Sequence, residues 1–233
     1  MPVDNTIVKR SALVVEIVGP AGAGKTTLLR TLRQCNEKIR VGVRLHGIKY
    51  IPLFVGHALL SLPTFLRQFQ TGRWFTYREM NLMVYLKVLH RVLRRQVLNK
   101  GIVTVLDQGP IYKLARLHGF TSRGIKSQSF EKWWDSALNQ WNSTLDLVIQ
   151  LDAPDTILME RIYTRSYQHR VQGKSEQEAY AFLARYRTSY EHILSKLIAN
   201  GELKVLRFDT NQETLDQIVD KVLAAFDTEH GEC

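Results

Sequence analysis

Residues 12–35 read ALVVEIVGPAGAGKTTLLRTLRQC, and no other stretch of the chain limits its fold as tightly. ALVVEIV is an apolar run of the kind expected of a strand covered on both faces. TTLLRTLRQC is a good helix, with leucines at helical spacing. Between them stand Gly19, Gly22 and Gly24, which permit backbone conformations that would clash with a Cβ. Successive N–H groups can then turn inward as an anion nest, and the helix N-terminus adds partial positive charge at the same point. Gly19, four residues, then Gly24, Lys25 and Thr26 is the spacing of a phosphate-binding loop, here in the strand–loop–helix context that it requires. A plain strand-to-helix turn has no need of lysine followed by threonine.

The same alternation continues along the chain. Further strands are expected at IRVGVRL (39–45), IVTVLD (102–107), LDLVIQLD (145–152) and LKVLRFD (203–209). Helical segments follow at GPIYKLARLHG, PDTILMERIYTRSYQH and QETLDQIVDKVLAAF. This predicts an α/β fold with a five-stranded parallel sheet and helices on both faces. With no repeat, low-complexity tract or linker, residues 1–233 read as a single domain. Residues 46–101 exceed a simple crossover and read as a helical insertion after the second strand. Its second half, 78–98, has an apolar face of Leu82, Leu86, Leu89 and Leu93 and a basic end at Arg91, Arg94 and Arg95. Its first half is strongly apolar, yet Pro52, Gly56, His57 and Pro63 make it too interrupted for a transmembrane helix. It is expected to cover an acceptor pocket, with a membrane-surface or partner-binding amphipathic segment as the other reading.

Charge narrows the partners without choosing one. Lys and Arg outnumber Asp and Glu by 32 to 22, a formal net charge of +10, which favours phosphorylated metabolites, nucleic acid or an acidic membrane. No RNA- or DNA-binding motif is present, so nucleic acid is not the expected partner. Cys35 and Cys233 form no disulfide framework and have no metal-ligand spacing. The N-terminal apolar stretch is too short for a signal peptide's core, so a cytoplasmic protein is expected.

The chemistry concentrates in three places. In the loop Gly19, Pro20, Ala21, Gly22, Ala23 and Gly24, the amides cradle phosphate while Lys25 reaches the β- and γ-phosphates. The Thr26 hydroxyl can ligate Mg²⁺, and Thr27 supports the helix or reaches an α-phosphate. Asp107 ends the third strand, where parallel sheets put ligands, and can serve the metal or accept the proton of an attacking hydroxyl. After the fourth strand come Arg161, Arg165, His169, Arg170 and Lys174, cations suited to stabilising charge in phosphoryl transfer; residues 161–176 read as an arginine-rich lid. Trp133, Trp134 and Trp141 read as helix packing, His57, His90 and His118 as isolated, and Asp152 and Asp155 as turn and helix-start residues.

Together these residues resemble the thymidylate kinase and deoxynucleoside kinase group of P-loop kinases, over most of the chain. LDAPDTILMERIYTRSYQHR looks like that group's fourth strand and arginine-bearing lid, and FLARYRTSYEHIL (182–194) is similar to its long following helix. The resemblance implies the three-layer P-loop NTPase fold, lid contacts to phosphate from Arg161, Arg165 and Arg170, and a turn at Asp209, Thr210 and Asn211 beside the nucleotide base. The departures lie on the acceptor side. Asp107–Gln108 replaces the group's aspartate–arginine pair, and GVRLHGIKYIPLF offers only Arg44 and Lys49, which points away from thymidylate.

The expected activity is ATP- and Mg²⁺-dependent phosphoryl transfer to a nucleotide, nucleoside or sugar-like acceptor. The alternative is a nucleotide-dependent switch or assembly ATPase acting through 46–101 on a protein or membrane partner. The choice of ATP over GTP and a homodimeric state are left open.

Overall fold

Every residue of Leu13–Val18 is buried, which makes this run β1, the middle strand of the sheet. The structure, a computed structural model, describes residues 12–43, 45, 47–69, 74–96, 102–120, 128–164, 172–201 and 203–230. β2 (Ile39–Val41), β3 (Val103–Asp107), β4 (Leu147–Asp152) and β5 (Lys204–Asp209) join β1 in one all-parallel sheet of order β2-β3-β1-β4-β5. The helices among the described residues are α1 (Lys25–Cys35), α2 (Ile51–Phe69), α3 (Tyr77–Gln96), α4 (Pro110–Phe120), α5 (Gln128–Asn142), α6 (Asp155–Tyr163), α7 (Glu176–Ala199) and α8 (Leu215–His230). This is the expected α/β architecture, with the helical insertion directly after the second strand.

Alternate strand residues feed two separate cores, as the period-2 pleat demands. Val14, Val18, Leu106 and Val148 face α3, α4, α5 and the body of α7. Leu13, Val15, Ile17, Val105 and Ile149 face α1, α6 and α8. Trp133, Trp134 and Trp141 are buried on α5, the packing role read from sequence. Reciprocal capping boxes start three helices: Thr76 with Glu79, Ser175 with Glu178, and Thr214 with Gln217.

Two expectations change. β2 stops at Val41 rather than 45, because Gly42 takes φ 63° after a last ladder bond from its N–H to the Val105 carbonyl at 2.8 Å. The apolar first half of the insertion is a single 19-residue helix, α2, that runs through Pro63 instead of breaking there. Proline removes one hydrogen bond, but Pro63 lies on the exposed side and Phe65, beyond it, is anchored in the core. With the 3-10 turn Ile48–Tyr50 before it, this is the one stretch among the described residues long and apolar enough to cross a membrane by length and composition.

Candidate active site

The glycine loop is shaped by its neighbours as much as by its own torsions. Gly19 sits at φ +145°, and a Cβ there would lie 2.1 Å from the Leu151 carbonyl oxygen of β4. At Gly22, φ +89°, a Cβ would lie 2.7 Å from the carbonyl of Leu158 on α6. No L side chain fits either position without displacing a backbone. Gly24, also left-handed, begins α1, whose first turn carries no acidic residue. The positive end of that helix is thus uncompensated by its own side chains. Lys25 Nζ folds over the loop and donates to the carbonyls of Gly19 (2.8 Å) and Pro20 (2.7 Å). Thr26 and Thr27 are exposed on the first turn of α1.

Behind the loop lies a cavity of about 450 Å³, lined by Gly22, Gly24, Thr27, Arg161, Thr210 and Thr214 among others. Arg161 reaches across it from α6, donating to Thr210 Oγ1 (2.8 Å) and to the Thr210 carbonyl (3.0 Å). Thr210 N–H donates in turn to the Asp152 carbonyl at 2.8 Å, tying the turn after β5 to the end of β4. Asp209 shapes that turn by accepting the Asn211 N–H at 2.8 Å, and it lines a neighbouring cleft instead. Asn211 is exposed outside the cavity lining. Of the three turn residues expected beside a base, Thr210 alone faces the loop's cavity. Arg165, His169 and Arg170 lie outside the described residues, as does Arg44.

Asp107 stands one strand over, at the same end of the sheet, in register with Ile17 of β1. It is exposed at the head of an open groove of about 780 Å³ that runs along the edge strand past Val43, Arg40 and Arg33. The next residue, Gln108, takes φ 56°, a left-handed conformation uncommon outside glycine. The tight turn hands β3 directly to α4.

Several functional candidates had no part in the sequence reading. Glu16 of β1 is fully buried, and its carboxylate accepts the N–H groups of Ile111 (2.8 Å) and Tyr112 (3.0 Å), capping α4. Burial pushes its pKa up to about 8, against the two N–H donors and Lys113; the Asp107 charge pushes the same way as burial. Lys113 lies over the rings of Tyr85 (5.0 Å) and Tyr112 (5.5 Å). Its ammonium is lowered below the ordinary lysine range by burial and by Arg116, with Glu16 and Asp107 opposing. Arg187 of α7 holds Asp152 (2.7 Å) and also Asp155, so these carboxylates do more than begin a turn and a helix. A lone carboxylate inside ALVVEIV was the signal for Glu16. Arg187 is one of two arginines in its helix, two residues from Arg185, and nothing local marks it.

No family model and no curated sequence matches the chain. Solved structures do. A thymidylate kinase from Candida albicans superposes with TM-score 0.55 at 15% identity, over 95% of this chain and 94% of its own. A deoxyadenosine kinase from M. mycoides, solved with dCMP and dCDP, gives 0.53 at 13% identity over 93% and 100%. The YorR protein of Bacillus subtilis, in complex with phosphorylated GDP, gives 0.50 at 15% identity over 94% and 99%. The chain has the P-loop nucleotide kinase fold. On that fold the β1–loop–α1 unit, the Arg161–Thr210 bridge and Asp107 all stand at the carboxyl end of the parallel sheet, where open α/β folds bind ligands.

The residues present fit a bound Mg²⁺. Among the described residues no three His, Cys, Asp or Glu side chains converge into a dedicated metal cage. Mg²⁺ in phosphate sites needs none, since one or two protein oxygens suffice beside phosphate and water. The Thr26 hydroxyl and the Asp107 carboxylate are exposed oxygens on adjoining elements.

Proposed function

We propose that the protein transfers the γ-phosphoryl group of ATP to a small acceptor. The observation that supports this best is the cavity in which the glycine loop meets Arg161 and Thr210. A triphosphate laid along the loop would leave its base in that space. Lys25 and the loop amides would hold the β- and γ-phosphates, with Lys25 exchanging its carbonyl partners for phosphate oxygens. Thr26 and Asp107 would hold Mg²⁺, which when bound neutralises charge on the phosphates. The Asp107 carboxylate would orient the acceptor hydroxyl or take its proton, and Arg161, Arg165 and Arg170 would offset the charge that develops on the transferred group.

The acceptor range is nucleotide, nucleoside or sugar-like. The nucleotides in the neighbouring structures favour the first two. Gln108, without the charge of an arginine, argues against thymidylate itself. Purified protein, Mg²⁺ and ATP incubated with pooled nucleosides, nucleoside monophosphates, sugars and sugar phosphates, read by mass spectrometry, tests the reading. A phosphorylated species is expected, and Lys25→Ala should reduce its formation at least ~100-fold. Wild-type rates in that variant would refute the role of Lys25. ADP without a phosphorylated acceptor would favour a nucleotide-dependent switch, the reading that the exposed face of α2 keeps open.

A further inference from the structure

Helix α2 is packed inside out. The face turned to the protein carries Ser61 and Gln68, both buried, with His57 and Thr64 partly buried beside them. Anchorage comes from Phe65, packed edge-on against Phe75 at 5.5 Å, and from Phe54 against Tyr85 of α3 at 6.4 Å. The outward face carries Ile51, Val55, Leu59, Leu62 and Leu66, all exposed, with Leu59 64% accessible and Leu60 beside it 73%. At 100° per residue the first five fall within an arc of about 80°, a straight apolar stripe roughly 22 Å long. Ile48 extends it at one end, and Trp74 and Tyr77 stand exposed just beyond the other. A helix at the surface of a soluble domain normally turns its apolar stripe inward.

The segment that carries this stripe is charged with one sign, while α5, which packs on α2, adds Glu131, Lys132 and Asp135 at the surface. Residues 38–106 contain twelve Lys and Arg and a single carboxylate, Glu79, which is buried and spent on capping α3. The rest of the chain is nearly neutral, with twenty Lys and Arg against twenty-one Asp and Glu. The whole net charge of the protein therefore sits in and around the segment that bears the exposed stripe. Lys49, Arg67 and Arg78 are exposed at its ends, and Arg91 of α3 is close enough to act electrostatically on His57 of α2.

We propose that α2 docks this protein on the surface of an anionic lipid bilayer, with its stripe among the acyl chains and the flanking cations at the headgroups. An apolar face, interfacial Trp and Tyr and a basic surround are the pattern of a helix lying in the interface plane. A spanning helix would be apolar on all sides, whereas α2 keeps its polar side against α3 and α5 of its own domain. A second copy of the chain is a poor occupant. A two-fold pairing of stripes would bring two like-charged segments face to face. The proposal is independent of the catalytic reading and of the phosphate loop.

The test is co-sedimentation with vesicles of phosphatidylcholine containing 30% phosphatidylglycerol, and with vesicles of pure phosphatidylcholine. The intact protein and Lys25→Ala should both bind the anionic vesicles, at least tenfold more tightly than the neutral ones, and raising salt to 0.5 M should release them. Leu59→Glu/Leu66→Glu should lose at least tenfold in binding with its thermal transition retained, and Leu59→Ser/Leu66→Ser should follow it. Arg67→Ala/Arg78→Ala should lose at least fivefold, since each cation near such a surface contributes about that factor. Failure of the intact protein to bind, or equal binding by the leucine variants, overturns the proposal. So does a solution dimer that Leu59→Glu/Leu66→Glu abolishes, because the stripe would then belong to a second copy.

Discussion

At the scale of single residues, Glu16 sets a measurable pH dependence. Its folded pKa of about 8 lies above the ordinary carboxylate value of 4.5, so between these limits the folded protein holds a proton that the unfolded chain releases. Its contribution to stability is complete below pH 4.5 and is lost as pH rises toward 8. The slope reaches at most about 1.4 kcal/mol per pH unit. Glu16→Gln cannot ionise and should flatten the decline in denaturation midpoint between pH 5 and pH 8; equal slopes in the two proteins would exclude this role. Arg161 has a different consequence. Two of its guanidinium nitrogens donate to Thr210, so Arg161→Ala removes one of the ties on the turn after β5, which the Thr210 N–H still joins to the Asp152 carbonyl. Loss of charged hydrogen bonds of this kind should raise the KM for ATP about tenfold, and loss of the charge beside the transferred group should lower kcat as well. A fall confined to kcat would give Arg161 the charge-neutralising part alone.

At the scale of elements, the crossing of α4 and α7 carries much of the packing on one face of the sheet. Tyr112 of α4 stacks on Tyr186 of α7 with centroids 5.9 Å apart, and His118 stacks on His192 at 4.3 Å. The two helices approach so closely at Gly119 that a Cβ there would lie 2.4 Å from Ser189 Oγ and 3.2 Å from Arg185 Cγ. Gly119→Ala overpacks the crossing, and such insertions cost about 1–3 kcal/mol. Calorimetry should show the melting temperature down by roughly 2–10 °C. An unchanged melting temperature would mean that the helices part without penalty. Since α4 also carries Lys113 and begins at the Glu16 cap, the same substitution should disturb the surroundings of Asp107.

At the scale of the whole molecule, charge is segregated. Twelve cations against one carboxylate between residues 38 and 106 repel one another across α2, α3 and their flanks, and the nearly neutral remainder of the chain offers little relief. Screening shortens the reach of that repulsion from about 10 Å at 0.1 M salt to a few ångström near 1 M. Melting temperature in KCl should accordingly rise between 50 and 500 mM, and a fall over that range would show that attractive pairs dominate. Binding of ATP at one hundred times its dissociation constant should add about 2.7 kcal/mol of stability, an increment that Lys25→Ala should largely remove.

Much of this protein is legible in the order of its residues, for a local reason. The buried strand, the glycine spacing, Lys25 and Thr26, and the strand–helix alternation are short-range patterns, each satisfied within a few turns of chain. The sheet, its helical faces and the loop conformation follow from them. What tertiary structure decided involves partners far apart in sequence. Gly19 must be glycine because Leu151 passes beside it, and Glu16 is held by amides 95 and 96 residues away. Arg187 acquires its meaning from Asp152 and Asp155, while Asn211 turns out to lie away from the cavity that Thr210 faces. Most of all, the apolar composition of residues 48–68 is compatible both with a helix buried as a cover and with a helix exposed at the surface. Only the packing of Phe54 and Phe65, which turns the leucines outward, selects the last, because burial is a property of neighbours and not of the residues that are buried.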